Sequence, residues 1–361
     1  MQGQPLNEAQ AAGFGAPPLR AVACPIADVH THMNEPATDH ELVEAARRYG
    51  ITRIVAIASL DEGLALQRRF PGGIDVAARP PVAPPAGGRA RAKSGGKRSR
   101  VARPRGDVKS EDERPPEERA REMIPRAAAH GVRIIKFWFA PRIRDRIDFL
   151  FDAPRLDGVF RAIADHRLGV LVHVSDPDRW FERKYDPVKY GTKADQYPML
   201  EHRLREYPSV PFLAAHMGGD PEHLDHLTDL LTRYPNLYLD TSATKWIVRE
   251  LGRQREAARE FFRRWAHRIC FGTDQVVYED SDPIRYLVRY WVHQMFWESD
   301  LVCPSPIPDP DADGTPMLRG LDLPSDVLEQ IYWKTAEQAF KIDARPATHA
   351  AAEPRRGSGG G

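Results

Sequence analysis

Cysteine is nearly missing: Cys24, Cys270 and Cys303 are the only three in 361 residues. Their scatter and odd number exclude a disulfide framework and a Cys-type zinc cluster, and they make the cytoplasm the expected compartment. No apolar run approaches the ~20 residues of a membrane span, so a membrane is not an expected partner. Met1–Cys24 has neither the basic start nor the apolar stretch of a secretory leader, and none is expected. No glycine-rich phosphate-binding turn follows any candidate strand, which counts against a doubly wound nucleotide-binding sheet. Net charge lacks a sign as well, with 52 Lys and Arg against 51 Asp and Glu.

That balance hides one local excess. Residues 89–109 hold nine Lys or Arg and one Asp, a net +8, which leaves the rest of the chain at −7 although the whole is +1. The surrounding stretch 80–116 is rich in Pro, Gly, Arg, Lys and Ser and almost free of large apolar residues. Such a segment cannot bury enough surface to fold alone, and it is expected to be a disordered insertion.

What is present is a repeat of short apolar strands and amphipathic helices. Strands are expected at 26–32, 53–58, 74–78, 133–139, 170–174, 211–216, 237–241 and 269–274. All are near-continuous Val/Ile/Leu/Phe runs of the kind buried on both faces of a parallel sheet. Helices are expected near 38–50, 118–129, 156–163, 195–207, 221–233, 246–267 and 282–297. The first would start from a Thr38/Glu41 capping box. Eight such units predict a (β/α)8 TIM barrel over residues 25–342, interrupted at 80–116. An N-terminal extension (1–24) precedes it. A loop at 300–323 and a C-terminal helix (325–342) close it, and a disordered tail (343–361) follows. Within the loop, Asp309–Gly314 imitates the start of a calcium-binding loop, but position twelve would be Gly320 rather than Glu.

The polar residues fall in a pattern on this scaffold. His30 and His32 end the first strand, and residues two apart on a strand share a face. Lys136 lies near the end of the fourth strand, His173 ends the fifth, His216 the sixth, Asp240 lies near the end of the seventh, and Asp274 ends the eighth. From Lys136 onward the gaps are 37, 43, 24 and 34 residues, roughly one βα unit each. The C-terminal strand ends of such a barrel converge on one mouth, so these groups would meet. Of thirteen histidines, the other nine fall in helices, helix ends or the tail. Imidazole and carboxylate gathered at a mouth point to a divalent metal, with zinc expected and manganese as the alternative.

The ordered motifs Asp28-Val-His-Thr-His32, Gly131-Val-Arg-Ile-Ile-Lys136, Val170-Leu-Val-His173, Ala215-His-Met-Gly-Gly219, Leu239-Asp-Thr-Ser242 and Phe271-Gly-Thr-Asp274 resemble the amidohydrolase superfamily. Within it they resemble the amidohydrolase-related group, which holds hydrolases and decarboxylases such as aminocarboxymuconate-semialdehyde decarboxylase. The resemblance runs over about 25–342 without the insertion. It implies that His30, His32, His173 and Asp274 bind one metal ion and that Asp274 accepts a proton from the activated water. It also implies that His216 serves as acid/base or polarises a substrate carbonyl. Lys136 is either a carboxylated bridge to a second metal, with His173 and His216 then shifting to that second metal, or an unmodified contact to an anionic substrate group.

Trp138, Arg142, Trp180 and Tyr185 lie on expected mouth loops and are candidates for the substrate pocket. The leading activity is hydrolysis of a C–N or C–O bond in a small molecule. The alternative is non-oxidative decarboxylation of an aromatic or unsaturated acid at the same centre. Nucleic-acid binding through 89–109 is disfavoured, because the segment lacks the interleaved aromatics that stack on bases. Assembly with further copies of the same chain is compatible with all of this.

Overall fold

Parallel neighbours cannot be joined by a tight hairpin, so each pair of strands needs a crossover, and the chain is laid out accordingly. The computed structural model describes residues 13–33, 35–82, 114–279 and 282–345. Nine strands make one parallel sheet: β1 (Ile26–His32), β2 (Ile51–Ala58), β3 (Ile74–Ala78), β4 (Ile134–Trp138), β5 (Gly169–His173), β6 (Phe212–Ala214), β7 (Leu237–Asp240), β8 (Ile269–Cys270) and β9 (Gln275–Val276). They run in the order β8-β7-β6-β5-β4-β3-β2-β1-β9. β8 and β9 are two pieces of one stave, interrupted at 271–274. The first piece pairs with β7 and the second with β1. The Val29 amide donates to the Phe271 carbonyl at 3.0 Å and the Asp274 amide to the His30 carbonyl at 2.8 Å. The sheet therefore closes into the expected eight-staved barrel, with helices around it.

Two apolar layers hold it. The larger lies between strands and helices and includes Phe137, Phe160, Phe212, Phe262 and Trp297. The smaller fills the barrel with inward residues such as Val29, Val55, Ile57, Ile134, Leu171 and Leu213, and Phe340 and Ile342 from the C-terminal region complete it. The C-terminal segment is tied to the base of β2, where Arg53 Nε donates to the Asp343 carbonyl at 2.8 Å.

One irregularity decides where the site residues point. Asp28 pairs with Ile54 and Thr31 with Ala56, so Val29 and His30 together oppose Val55. This is a β-bulge, a device that re-aims a side chain. It turns His30 inward with Val29, while Asp28 faces outward to the hydroxyls of Thr273 at 2.6 Å and Tyr290 at 3.3 Å.

Several local expectations are corrected. Thr38 makes no capping box, because its Oγ1 donates to the Tyr278 carbonyl at 3.1 Å. The capping box forms instead at Ser59/Glu62, opening a helix Leu60–Arg69 that apolar periodicity did not reveal. The expected 246–267 helix is two, Thr244–Arg253 and Arg255–Trp265, broken at Gln254. The 300–323 loop contains an antiparallel hairpin, Val302–Pro304 with Met317–Arg319. The calcium-like run is occupied by protein cations: Asp309 by Arg249, Asp311 by Lys184, Asp313 by Arg179. The final helix carries a π turn at Gln330–Lys334. Most of the expected insertion, 83–113, lies outside the described residues, as does the tail from 346 onward.

Candidate metal centre

The strand ends gather His30, His216 and Asp274 most tightly, while the expected ligands His32 and His173 stand outside that trio. Donor atoms of His30, His216 and Asp274 all lie within 4.8 Å of one another. Asp274 Oδ1 is 3.2 Å from His32 Nε2 and 3.5 Å from His30 Nε2. The His173 ring stands edge-on to His216, centroids 4.4 Å apart, with its Nε2 donating to the Ser175 carbonyl at 3.0 Å. Lys136 points inward, a direction strand alternation alone had left open, and its Nζ lies 3.4 Å from His30 Nε2. The side chains of His32 and Asp274 are 30% and 29% exposed while His30 is 1% exposed, so the cluster has a closed floor and an open mouth.

The floor is built by a residue to which no role was assigned from the sequence. Asp240 Oδ2 accepts from His30 Nδ1 at 2.8 Å, and Oδ1 accepts the amides of His216 at 2.8 Å and Ser242 at 3.0 Å. The Ser242 hydroxyl also donates to Asp240 and lies 2.7 Å from His216 Nδ1. A carboxylate holding one imidazole nitrogen fixes the tautomer and frees the other nitrogen for a metal. Burial pushes the Asp240 carboxyl up, but His30, His216 and Ser242 outweigh it and hold the group well below the usual range. The same competition, won by His32, His216 and His30, keeps Asp274 ionised.

Burial and the adjacent Lys136 lower His30 to about 4, so its ring is neutral and able to ligate. Burial and His173 lower His216 in the same sense. Burial brings Lys136 down to about 8, with Asp240 and Asp274 opposing.

Backbone strain concentrates at this mouth. His216, Met217, Ala243 and Asp274 all take left-handed conformations, φ 60°, 53°, 66° and 55°, each costing a non-glycine residue about 1–2 kcal/mol. The turn after β6 needs Gly219, whose φ is +73° and whose added Cβ would lie 2.2 Å from the Ser175 carbonyl oxygen.

Aromatic residues wall the site. Trp246 packs on His216 and His173, centroids 5.4 and 6.4 Å away, and carries no motif that could have marked it. Trp180 is one ring further out, 5.1 Å from Trp246, with its Nε1 donating to Asp311 at 2.9 Å. Tyr185 donates its hydroxyl to Asp176, and Arg142 lies over the Tyr185 ring. Trp138 pairs in register with His173 and carries Arg146 on its face. Arg289, also unmarked in the sequence, lies beside the site, where burial and Arg285 lower its pKa to about 10 against the pull of Asp274.

A second carboxylate group, Asp178, Asp220 and His223, is already filled by the Lys193 ammonium, 2.9 Å from Asp178 and 3.1 Å from Asp220.

The sequence matches the amidohydrolase family over residues 27–342. The chain belongs to that family. It is an enzyme of the hydrolase or carboxy-lyase type. No curated protein sequence matches it. Among solved structures, an uncharacterised TIM-barrel protein from Bordetella bronchiseptica is similar, with 14% identity over 89% of this chain and 100% of that one and a TM-score of 0.52. Dihydroorotase from Campylobacter jejuni shares 11% identity over 88% of this chain and 84% of its own, with a TM-score of 0.50. At such identities these likenesses show the fold. No helix among the described residues is long and apolar enough to cross a membrane.

Proposed function

We propose that this amidohydrolase-family chain holds one divalent cation, zinc in the first instance, through His30, His32, His173 and Asp274, and hydrolyses a C–N or C–O bond of a small molecule. The observation that supports it most is the convergence of neutral imidazoles on an ionised carboxylate at an open barrel mouth, with donors of His30, His216 and Asp274 within 4.8 Å. Nitrogen and carboxylate oxygen donors of this kind suit zinc, and manganese is the alternative. When bound, such a cation supplies Lewis acidity that lowers the pKa of water toward neutrality.

The chain's own residues do the rest. Asp240 holds His30 in one tautomer through Nδ1. Asp274 takes the proton from water, and it can do so because its own carboxyl is ionised and partly exposed to the mouth. His216, held through Nδ1 by the Ser242 hydroxyl, lines the reacting side of the mouth, and Asp274 hands the proton it took from water to the leaving group. Trp246 keeps bulk water from that side. The three unpaired cysteines support a reducing compartment, the cytoplasm.

Decarboxylation is the second reading, and Arg289 favours it. This guanidinium lies near Asp274 with only the Thr244 hydroxyl, 3.4 Å away, as a hydrogen-bond partner among the described residues, and it suits a substrate carboxylate. Stoichiometric carbon dioxide release separates the two.

The deciding experiment is elemental analysis of chelator-free protein beside His30→Ala. One equivalent, lost in the variant, is expected. Two equivalents would make Lys136 a carboxylated bridge and replace the one-metal reading. No metal in either protein, even after reconstitution with zinc or manganese, would overturn the proposal.

A further inference from the structure

Beside the barrel mouth, the helix Thr244–Arg253 and the hairpin strand Met317–Arg319 enclose a second cavity of about 630 Å³. None of His30, His32, His173, His216 or Asp274 lines it. Its inner end comes close to the metal centre all the same: Thr244 Oγ1 donates to the carbonyl of Thr273, the residue before Asp274, at 3.3 Å.

Charge in this wall is unbalanced. Five Lys or Arg side chains line the cavity against three carboxylates. Two of those carboxylates are already engaged, Asp309 by Arg249 and Asp313 by Arg179 and Arg253, and the third, Glu256, stands exposed at the rim. Arg249 is only 8% exposed. Its Nε and Nη1 meet Glu250 and Asp309, but Nη2 is buried with no acceptor. A buried charged donor left unsatisfied is costly and calls for an explanation.

Lys245 and Arg319 face the same space, and among the described residues neither meets a hydrogen-bond acceptor or an ion-pair partner. Burial and Arg289 lower the Lys245 pKa, with Asp309 offsetting only part of the effect. Cations short of counter-charge around a half-open cleft favour an anion.

We propose that this cavity binds a small multivalent oxyanion, a phosphoryl or polycarboxylate group, on Lys245 and Arg319, with the buried Arg249 guanidinium adding positive charge from the wall. The planar guanidinium fork matches two oxygens of such a group, and the ammonium adds a movable point charge. The volume suits a small-molecule ligand. The anion is either free or the far end of a substrate whose reacting bond lies at the metal centre.

The test is calorimetric titration of the full chain with pyrophosphate and, separately, with citrate. Saturable binding of one equivalent is expected, weakened about tenfold or more in Lys245→Met and in Arg319→Met. Both residues are partly exposed and unpaired, so these variants keep the fold, and unchanged metal content confirms it. Arg249→Gln would also break two ion pairs and is not the deciding variant. Tighter binding of pyrophosphate assigns a phosphoryl group, and tighter binding of citrate a polycarboxylate. Once a substrate is in hand, a KM raised by pyrophosphate assigns the cavity to the substrate's own end, and an unchanged KM assigns it to a free effector. No saturable binding of either anion at millimolar concentration, or affinity unchanged in both variants, would overturn the proposal without touching the metal reading.

Discussion

Asp240 accepts a hydrogen bond from His30 Nδ1 at 2.8 Å across 210 residues of chain, and both side chains are buried. That contact leaves Nε2 of His30 facing Asp274. Asp240→Asn keeps a side-chain oxygen for the amides of His216 and Ser242 but removes the charge that holds the imidazole. Metal affinity is expected to fall about 10- to 100-fold, measured by competition with a chromophoric chelator. Affinity equal to the unmodified protein would show that the carboxylate does not orient the ligand.

Gly218 and Gly219 sit side by side after His216, with φ +67° and +73°. They should not respond alike to alanine. At Gly218 the nearest atom to an added Cβ is Leu227 Cδ2 at 3.5 Å, so only the backbone penalty applies, about 1–2 kcal/mol. At Gly219 the added Cβ collides with the Ser175 backbone, and the cost should exceed about 3 kcal/mol or prevent folding. Urea unfolding of the two variants checks the order, and equal losses would refute the close approach.

Trp297 Nε1 donates to His293 Nδ1 at 3.2 Å, so the ring carries its proton on Nε2, 3.0 Å from Thr244 Oγ1. Burial and Arg289 lower this buried histidine from 6.5 to about 3. The native state keeps it neutral where the unfolded chain takes up a proton. Its contribution is therefore complete above pH 6.5 and is lost as pH falls toward 3, at ~1.4 kcal/mol per pH unit. In His293→Gln, stability measured by urea midpoint should fall less steeply between these limits. An unchanged slope would remove His293 from the acid response.

Deleting residues 86–112 takes out the whole basic run, 89–109, without touching any candidate metal ligand. Metal content should stay as in the full chain. Any salt-sensitive retention on a nucleic-acid column should vanish, because such binding follows the number of Lys and Arg that meet phosphate. Retention that survives the deletion would place anion binding elsewhere on the chain.

The barrel and the cluster at its mouth were legible because both rest on periodicity. Buried parallel strands leave long apolar runs, and three of them end in His30 with His32, in His173 and in Asp274. Other features lack such a trace. The bulge at Val29–His30 arises from pairing with Val55, which no run of letters in β1 encodes. The eighth strand reads as continuous from 269 to 274, yet it breaks because Asp274 adopts φ 55° to meet His32. Trp246 and Arg289 lie on helices, and only the folded barrel turns those positions toward the mouth. Asp240 stood in the strand-end pattern, but its role depends on donors from two other segments, His30 Nδ1 and the His216 amide.

The amide and hydroxyl of Thr273 both bind the Asp28 carboxylate, at 3.1 and 2.6 Å, across 245 residues. This latch joins the first stave to the last, and His30 and Asp274 sit directly beside it. A chain cut before Ile269 would keep all four histidines of the cluster and still have nothing to close them against. Contacts of such separation form late, and a ligand that prefers the closed form strengthens it by mass action. A metal held at this mouth would thus act as a seal on a closed ring rather than a template for it.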